Sequence, residues 1–291
     1  MGKSFMSWTV DKVIRKTVRI TEKAVIHQLD DKKTDKRVYK IPKKIKELSN
    51  IVEKNYGDMQ VFEWEPQKDC GKVIMYIHGG GYIQNFSLFH WTFLVNICKK
   101  TEYGFTAPNY PLLPSYTYKS SYAKVIEYYK EFSKNNDMKN VVLAGDSAGG
   151  GYCLSLLQQL RDLNLPLPGK VILISPFVDV AGANKELDKR DVVLDYNATI
   201  ILGQAWADGD DVREWKISPL YGDLTNLPPI QIYVGTEEVL YDECIEAHKR
   251  LKEAGNQVDI YIGQNMGHDF PLQPIPEAKK AIEHMIEFMK D

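Results

Sequence analysis

Val141-Val142-Leu143-Ala144-Gly145-Asp146-Ser147-Ala148-Gly149-Gly150-Gly151 is the stretch on which the reading of this chain turns. A short apolar run ends in a small-residue turn that carries one serine, and Tyr152-Cys153-Leu154-Ser155-Leu156-Leu157 continues in a helical pattern. Strand, Gly-x-Ser-x-Gly and helix in that order form the setting of a nucleophile elbow, in which the serine sits exposed on a strained turn. Gly145 and Gly149 lack a Cβ, so strand and helix can approach closely around it. The N-terminal N–H groups of the helix then face any negative charge that develops beside Ser147. The same five residues also describe an ordinary tight turn whose serine caps the helix. The rest of the chain has to separate the two.

Length and composition set outer bounds. The chain has 291 residues, 44% hydrophobic and 26% charged, an ordinary globular composition with enough apolar content for a large core. A formal net charge of −2 gives no reason to expect nucleic acid as a partner. Cys70, Cys98, Cys153 and Cys244 stand far apart without a C-x-x-C pair, which suits reduced thiols and neither a disulfide framework nor a zinc site. The start, Met1-Gly2-Lys3-Ser4-Phe5-Met6, offers no apolar run for a signal peptide or membrane span, and Met6 occupies the place where a myristoylation signal wants Ser or Thr. A cytoplasmic protein without stable membrane insertion is expected, the sequons at Asn85 and Asn197 are read as chance, and a homodimer is left open.

The first fifty or so residues differ from the remainder. Val10, Val13, Ile14 and Val18 recur at helical spacing among basic residues, Asp30 to Lys40 is a charge run read as a solvated loop, and a second helical pattern from Pro42 places Ile45, Leu48, Ile51 and Val52 on one side. From Met59 onward, short apolar runs alternate with helices. Strands are expected at Met59–Trp64, Lys72–His78, Phe105–Asn109, Val141–Ala144, Val171–Ser175, Ile230–Val234 and Val258–Ile262. Helices are expected at Ser87–Lys100, Tyr118–Ser133, Ala148–Leu163, Asp242–Ala254 and Pro276–Met289. This alternation predicts an α/β fold with a mostly parallel central sheet covered by helices on both faces. The stretch from Asp179 to Leu227 breaks the rhythm, with its own apolar residues Val192, Val193, Leu194, Ile200, Ile201, Leu202 and Trp206, and reads as a helical insertion. Ligands of such sheets bind beyond the carboxyl ends of the strands, so an insertion leaving that edge can form a lid.

Further chemistry gathers at the same edge. After the strand at Lys72 comes His78-Gly79-Gly80-Gly81-Tyr82, where consecutive glycines free backbone N–H groups to meet a developing oxyanion. No Gly-Lys-Ser/Thr follows that would make this a phosphate loop. A serine needs a base, and the base an acid. His268 follows the last strand by the short loop Gly263-Gln264-Asn265-Met266-Gly267 and precedes Asp269-Phe270, which is where a base for Ser147 should stand. His27, His90, His248 and His284 have no such placement, and His78 is expected to anchor the glycine loop by a hydrogen bond. The acid should leave the strand at Ile230–Val234, where spacing alone does not choose between Glu237, Glu238 and Asp242. The order serine, acid, histidine agrees with that of α/β-hydrolases.

Taken together, His78-Gly79-Gly80-Gly81 and Gly145-Asp146-Ser147-Ala148-Gly149-Gly150 resemble the motifs of the hormone-sensitive-lipase-like group of α/β-hydrolase carboxylesterases. The resemblance extends through Tyr110-Pro111-Leu112-Leu113-Pro114, Ser175-Pro176-Phe177-Val178-Asp179, Ser218-Pro219-Leu220 and Leu227-Pro228-Pro229, and runs from about Met59 to the C-terminus. It implies Ser147 as nucleophile, His268 as base, and oxyanion donors from the backbone N–H groups of Gly80, Gly81 and Ala148. It also implies Glu238 as the acid, since the family pattern Gly-x-x-Asp-x-Leu-x-Asp-Glu aligns with Gly235 to Glu243 and places a glutamate where an aspartate usually stands. The region near Ser115 departs by lacking the family's Glu-His pair. The implied protein is a serine esterase without metal or organic cofactor, acting on small-molecule short-chain acyl esters through an acyl-enzyme. Its catalytic domain spans residues 56–291, under a cap built from residues 1–55 and an insertion at about 180–216. A deacetylase or amidase on a specific acylated metabolite, sugar or peptide is the nearest alternative, and a non-catalytic ligand binder of the same fold is a more distant one. Tyr82, Phe86 and Trp206 are read first as packing and second as the walls of a modest apolar pocket.

Overall fold

The computed structural model describes residues 3–31, 38–65 and 70–290. Its frame is one eight-stranded sheet of β1 (Val52–Tyr56), β2 (Met59–Trp64), β3 (Val73–Ile77), β4 (Gly104–Pro108), β5 (Val141–Asp146), β6 (Lys170–Ile174), β7 (Ile230–Gly235) and β8 (Val258–Gly263), in the spatial order β1-β2-β4-β3-β5-β6-β7-β8. β2 pairs antiparallel with both β1 and β4, and every other pairing is parallel. Residues of the central strands alternate between two cores. Ile74, Tyr76, Val142 and Ala144 join one, while Met75, Ile77, Val141 and Leu143 join the other. Both faces are covered, which is why these strands read as continuous apolar runs.

On the first face lie helices α4 (Leu88–Thr101) and α9 (Pro276–Lys290), which contribute Trp91, Leu94 and Met285. Against the second pack α5 (Tyr118–Asn135), α6 (Ala148–Asp162) and α8 (Tyr241–Glu253), through Tyr122, Leu154, Leu157 and Leu251. Full burial of each such side chain contributes about 1.5–3 kcal/mol. The chain leaves β3 for β4 on one side and then crosses back to β5 on the other. The carboxyl ends of β3 and β5 therefore meet at the point where strand order reverses, the usual place for a ligand site in an open α/β sheet.

The seven expected strands and five expected helices lie within two residues of their expected bounds. The beginning of the chain differs more. The second helical pattern stops early: α3 is Lys43–Leu48, and Val52 opens β1. This strand, Val-Glu-Lys-Asn-Tyr, is an edge with four exposed residues and then a half-buried one, so it needs no apolar alternation, and its charges discourage pairing with another sheet. Gly57, at φ +59°, makes the tight turn into β2. In α1 (Phe5–Thr17) the inward residues are Ser7 and Ile14, whereas Val13 is exposed. A further helix, α2 (Glu22–Asp30), precedes the charge run, of which residues 32–37 lie outside the described residues.

The insertion after β6 carries α7 (Tyr196–Ala207), which packs on α2. The two segments are stitched by backbone as well: Ile20 N–H donates to Val193 O at 2.7 Å, and Asp195 N–H to Ile20 O at 3.2 Å. Arg19 adds bonds to Asp191 O at 2.6 Å and to the Asp188 carboxylate at 3.1 Å. Among the described residues no helix is long and apolar enough to cross a membrane.

Candidate active site

Ser147 sits between the end of β5 and the first turn of α6 with φ 52° and ψ −123°, a conformation that costs energy for a residue with a Cβ. The surroundings hold it there. Its N–H donates to Ile174 O at 2.8 Å, and its carbonyl accepts from Phe177 N–H at 2.9 Å and Gly151 N–H at 3.1 Å. The motif glycines are needed for space: a Cβ on Gly145 would lie 2.5 Å from Gly149 O, and one on Gly149 would lie 2.1 Å from Ile77 O. Both obstacles are backbone atoms that cannot turn aside.

The Ser147 hydroxyl lies 2.9 Å from His268 Nε2, and His268 Nδ1 lies 2.6 Å from Glu238 Oε2. Glu238 is fully buried, and its other oxygen accepts from Ser175 Oγ at 2.9 Å and Gly235 N–H at 2.6 Å. The neighbouring acids point elsewhere. Glu237 pairs with Lys3 at 3.5 Å and Asp242 accepts from Asn184 at 2.6 Å, so of the three candidates only Glu238 reaches the histidine. Burial pulls the His268 imidazole's pKa down, but the carboxylates of Asp269 and Glu238 outweigh it and hold it well above its usual 6.5. Asp269 is the unexpected one of the two: its Oδ2 stands 3.2 Å from Nε2, the same nitrogen that faces the serine. Burial lifts that carboxyl to about 7, even with His268 beside it.

The glycine loop lies across from the serine. Gly79 N–H donates to Asp146 Oδ1 at 3.0 Å and is thus occupied. Among the described residues no acceptor takes the N–H groups of Gly80 or Gly81, which lie at φ +105° and +63°. Ala148, the first residue of α6, adds a further backbone N–H without an acceptor among the described residues. Asp146 holds the loop from below: it also accepts from Tyr76 Oη and meets His90 Nε2 at 3.0 Å. His90 Nδ1 accepts the Ser87 N–H at 2.8 Å, which leaves Nε2 as the protonated nitrogen that donates to Asp146. No spacing in the chain announces this His90–Asp146 pair, which joins α4 to the elbow. His78 bonds through Nδ1 to Gly79 O at 2.7 Å, as expected for an anchor of the loop. Burial, with His90 adding to it, lowers its pKa to about 4, so it is neutral.

A small cavity of about 80 Å³ opens onto Ser147 and His268. Gly80, Asn85 and Asp269 line it from the sheet side, and Ile14, Val18, Val193 and Leu194 from α1 and the insertion. Tyr82, Phe86 and Trp206 are not among its walls. All three are packing residues, with Tyr82 and Trp206 stacked face to face at 4.2 Å. Asp191, absent from the sequence reading, ties the insertion to the acid loop: one oxygen accepts from Val193 and Leu194 N–H and the other from Val239 N–H, all at 2.8–2.9 Å.

Comparison with known proteins places this architecture. Residues 74–272 match the family described as the alpha/beta hydrolase fold. An acetyl-hydrolase of Streptomyces hygroscopicus is 32% identical over 235 residues, covering 78% of this chain and 79% of its own. An esterase of Acinetobacter venetianus is 26% identical, covering 78% and 77%. Among solved structures, an esterase/lipase from an uncultured bacterium superposes with a TM-score of 0.84 at 25% identity, covering 99% of this chain and 98% of that one. An esterase of the bacterial hormone-sensitive lipase family does so with 0.80, at the same identity and coverage. The chain therefore belongs to the hormone-sensitive-lipase-like carboxylesterases of the α/β-hydrolase fold, and it is a carboxylic-ester hydrolase.

Proposed function

We propose that this esterase works through Ser147 as nucleophile, His268 as general base and Glu238 as the acid that orients it. The observation that carries this reading is the chain of contacts from Ser147 Oγ to His268 at 2.9 Å and on to Glu238 at 2.6 Å. With Nδ1–H donated to Glu238, the Nε2 lone pair is free to accept the serine proton. Oγ then bonds to the ester carbon, and the carbonyl oxygen becomes an oxyanion facing the N–H groups of Gly80, Gly81 and Ala148. Each such donor is worth about 2.7–4 kcal/mol in the transition state. As the bond to the alcohol oxygen breaks, Nε2–H gives its proton to that oxygen. Water, deprotonated by the same nitrogen, attacks the acyl-enzyme and returns free serine and the acid.

The N-terminal residues 3–31 and the insertion at about 180–216 act in this reading as one cap over the site, supported by the Ile20–Leu194 bridge and the Arg19 bonds, whereas residues 52–55, expected in the cap, belong to β1 of the sheet. A cavity of about 80 Å³ favours small-molecule esters with short acyl chains. The free thiols, three of four buried, suit a cytoplasmic location. Across p-nitrophenyl acetate, butyrate, hexanoate and octanoate, kcat/KM is expected to peak at acetate or butyrate and to be at least about tenfold lower at octanoate, the discrimination a small apolar pocket gives. A maximum at octanoate would contradict the short-chain reading.

The pH profile follows from the His268 environment. A base whose pKa is raised stays protonated to higher pH, so activity is lost as pH falls through that raised value. The acid limb of kcat/KM is expected to have its midpoint above 6.5. A midpoint at or below 6.5 would show that the two carboxylates do not govern the base.

A further inference from the structure

Asp269 forms and breaks no bond in the acyl transfer just described and acts there only on the His268 pKa, yet its carboxylate stands beside the nitrogen that protonates the leaving alcohol. Its backbone is in the left-handed region, at φ 53° and ψ 31°, and its N–H donates to Ser175 Oγ at 3.1 Å, the hydroxyl that itself bonds Glu238. That anchoring fixes the side chain beside the histidine. Oδ2 lies 3.2 Å from His268 Nε2, while Oδ1 is buried and, among the described residues, meets no donor. Asn85 Oδ1, on another wall of the same cavity, is likewise a buried acceptor without a donor among the described residues. Neither of these two atoms reaches solvent, so what Asp269 offers a ligand is Oδ2, on a side chain that keeps 18% of its surface exposed.

The position of Oδ2 says which part of the ligand this is. After Ser147 attacks, Nε2–H must hand its proton to the alcohol oxygen, so that oxygen comes within hydrogen-bond reach of Nε2. The space next to it is bounded by the Asp269 carboxylate, and the cavity is lined both by apolar side chains, Ile14, Val18, Val193 and Leu194, and by polar ones, among them Gln84, Asn85 and Gln273. A plain alkyl alcohol would press carbon against the carboxylate. An alcohol with a second hydroxyl one carbon further along would donate to it.

We infer that the alcohol half of the ester carries a second hydroxyl beside the scissile oxygen, so that the substrate is a short-chain monoester of a small polyol held by Asp269. The inference rests on the reading of Ser147 and His268 given above. No new bond-making step is involved; the hydroxyl positions the leaving group for protonation by Nε2–H.

The test compares two esters of equal size, 2-hydroxyethyl acetate and n-propyl acetate, by kcat/KM in each enzyme form, because the ratio is independent of how much of a variant is folded. The wild type is expected to favour the hydroxyl ester by about tenfold or more, the scale at which a hydrogen-bonding site rejects an analogue that leaves it unpaired. Asp269→Ala should bring the ratio to about one, and Asp269→Asn, which keeps a carbonyl acceptor, should retain a preference. Equal rates on both esters in the wild type, or an unchanged preference in Asp269→Ala, would overturn the inference. p-Nitrophenyl acetate has no second hydroxyl. Loss of its hydrolysis in Ser147→Ala tests the nucleophile separately, so the two readings can fail independently.

Discussion

Replacing Ser147 with alanine is expected to lower kcat for p-nitrophenyl acetate by about a millionfold, the scale on which a serine hydrolase loses turnover when the nucleophile is removed. The substitution keeps the Cβ that the φ 52° turn already accommodates and deletes only the hydroxyl. His268 retains its bond to Glu238, and the Ile174 and Phe177 backbone bonds that hold the elbow are untouched. The change in stability should therefore be no more than about 1 kcal/mol, the net worth of one hydrogen bond. Steady-state assays with thermal unfolding monitored in parallel separate the two effects. Undiminished hydrolysis by a folded variant would remove Ser147 from the mechanism.

The second large effect concerns the acid. Glu238→Gln should lower kcat by about ten thousandfold, because an amide at that position lets the imidazole settle with the wrong nitrogen protonated, with little change in geometry. Asp242→Asn should leave kcat near the wild-type value, since the Asp242 carboxylate bonds Asn184 at the exposed start of α8. Steady-state kinetics of the two variants side by side decide the matter. The reverse ranking would transfer the orienting role to Asp242 and leave the 2.6 Å contact of Glu238 with His268 without a catalytic meaning.

How far the chain could be read from its residues depended on how local the determinant was. The elbow was legible because strand, turn and helix are contiguous there and its two glycines answer to backbone atoms only 2.1–2.5 Å from where a Cβ would stand. The central strands were legible because burial on both faces makes them uniformly apolar. β1 was not, since Val-Glu-Lys-Asn-Tyr at an exposed edge obeys no core pattern. Spacing alone likewise does not pick the inward face of α1: Val13 and Val18 share the helical spacing of Ile14, yet both are exposed, and only contact with the body of the protein distinguishes them.

In the site, Glu238 could not be separated from Glu237 and Asp242 by spacing, because all three leave one strand end and only the path of the loop aims one of them inward. The His90–Asp146 pair spans 56 positions along the chain, and nothing in either local sequence predicts it. Asp269 was visible as the neighbour of His268, but its approach to Nε2 depends on a left-handed backbone that the residue order does not announce. The free glycine donors show the same limit. Three glycines in a row promise exposed N–H groups, and the fold then commits that of Gly79 to Asp146 and leaves those of Gly80 and Gly81 open.

If Ser147 forms the covalent acyl intermediate, it should also be the residue that an activated p-nitrophenyl phosphonate labels when incubated with the intact protein. Peptide mass spectrometry is then expected to find one phosphonyl group per chain, on Ser147 alone, formed with stoichiometric release of p-nitrophenol and lost in the Ser147→Ala variant. An unlabelled Ser147 in active protein, or a label on another residue with esterase activity abolished in step, would contradict it.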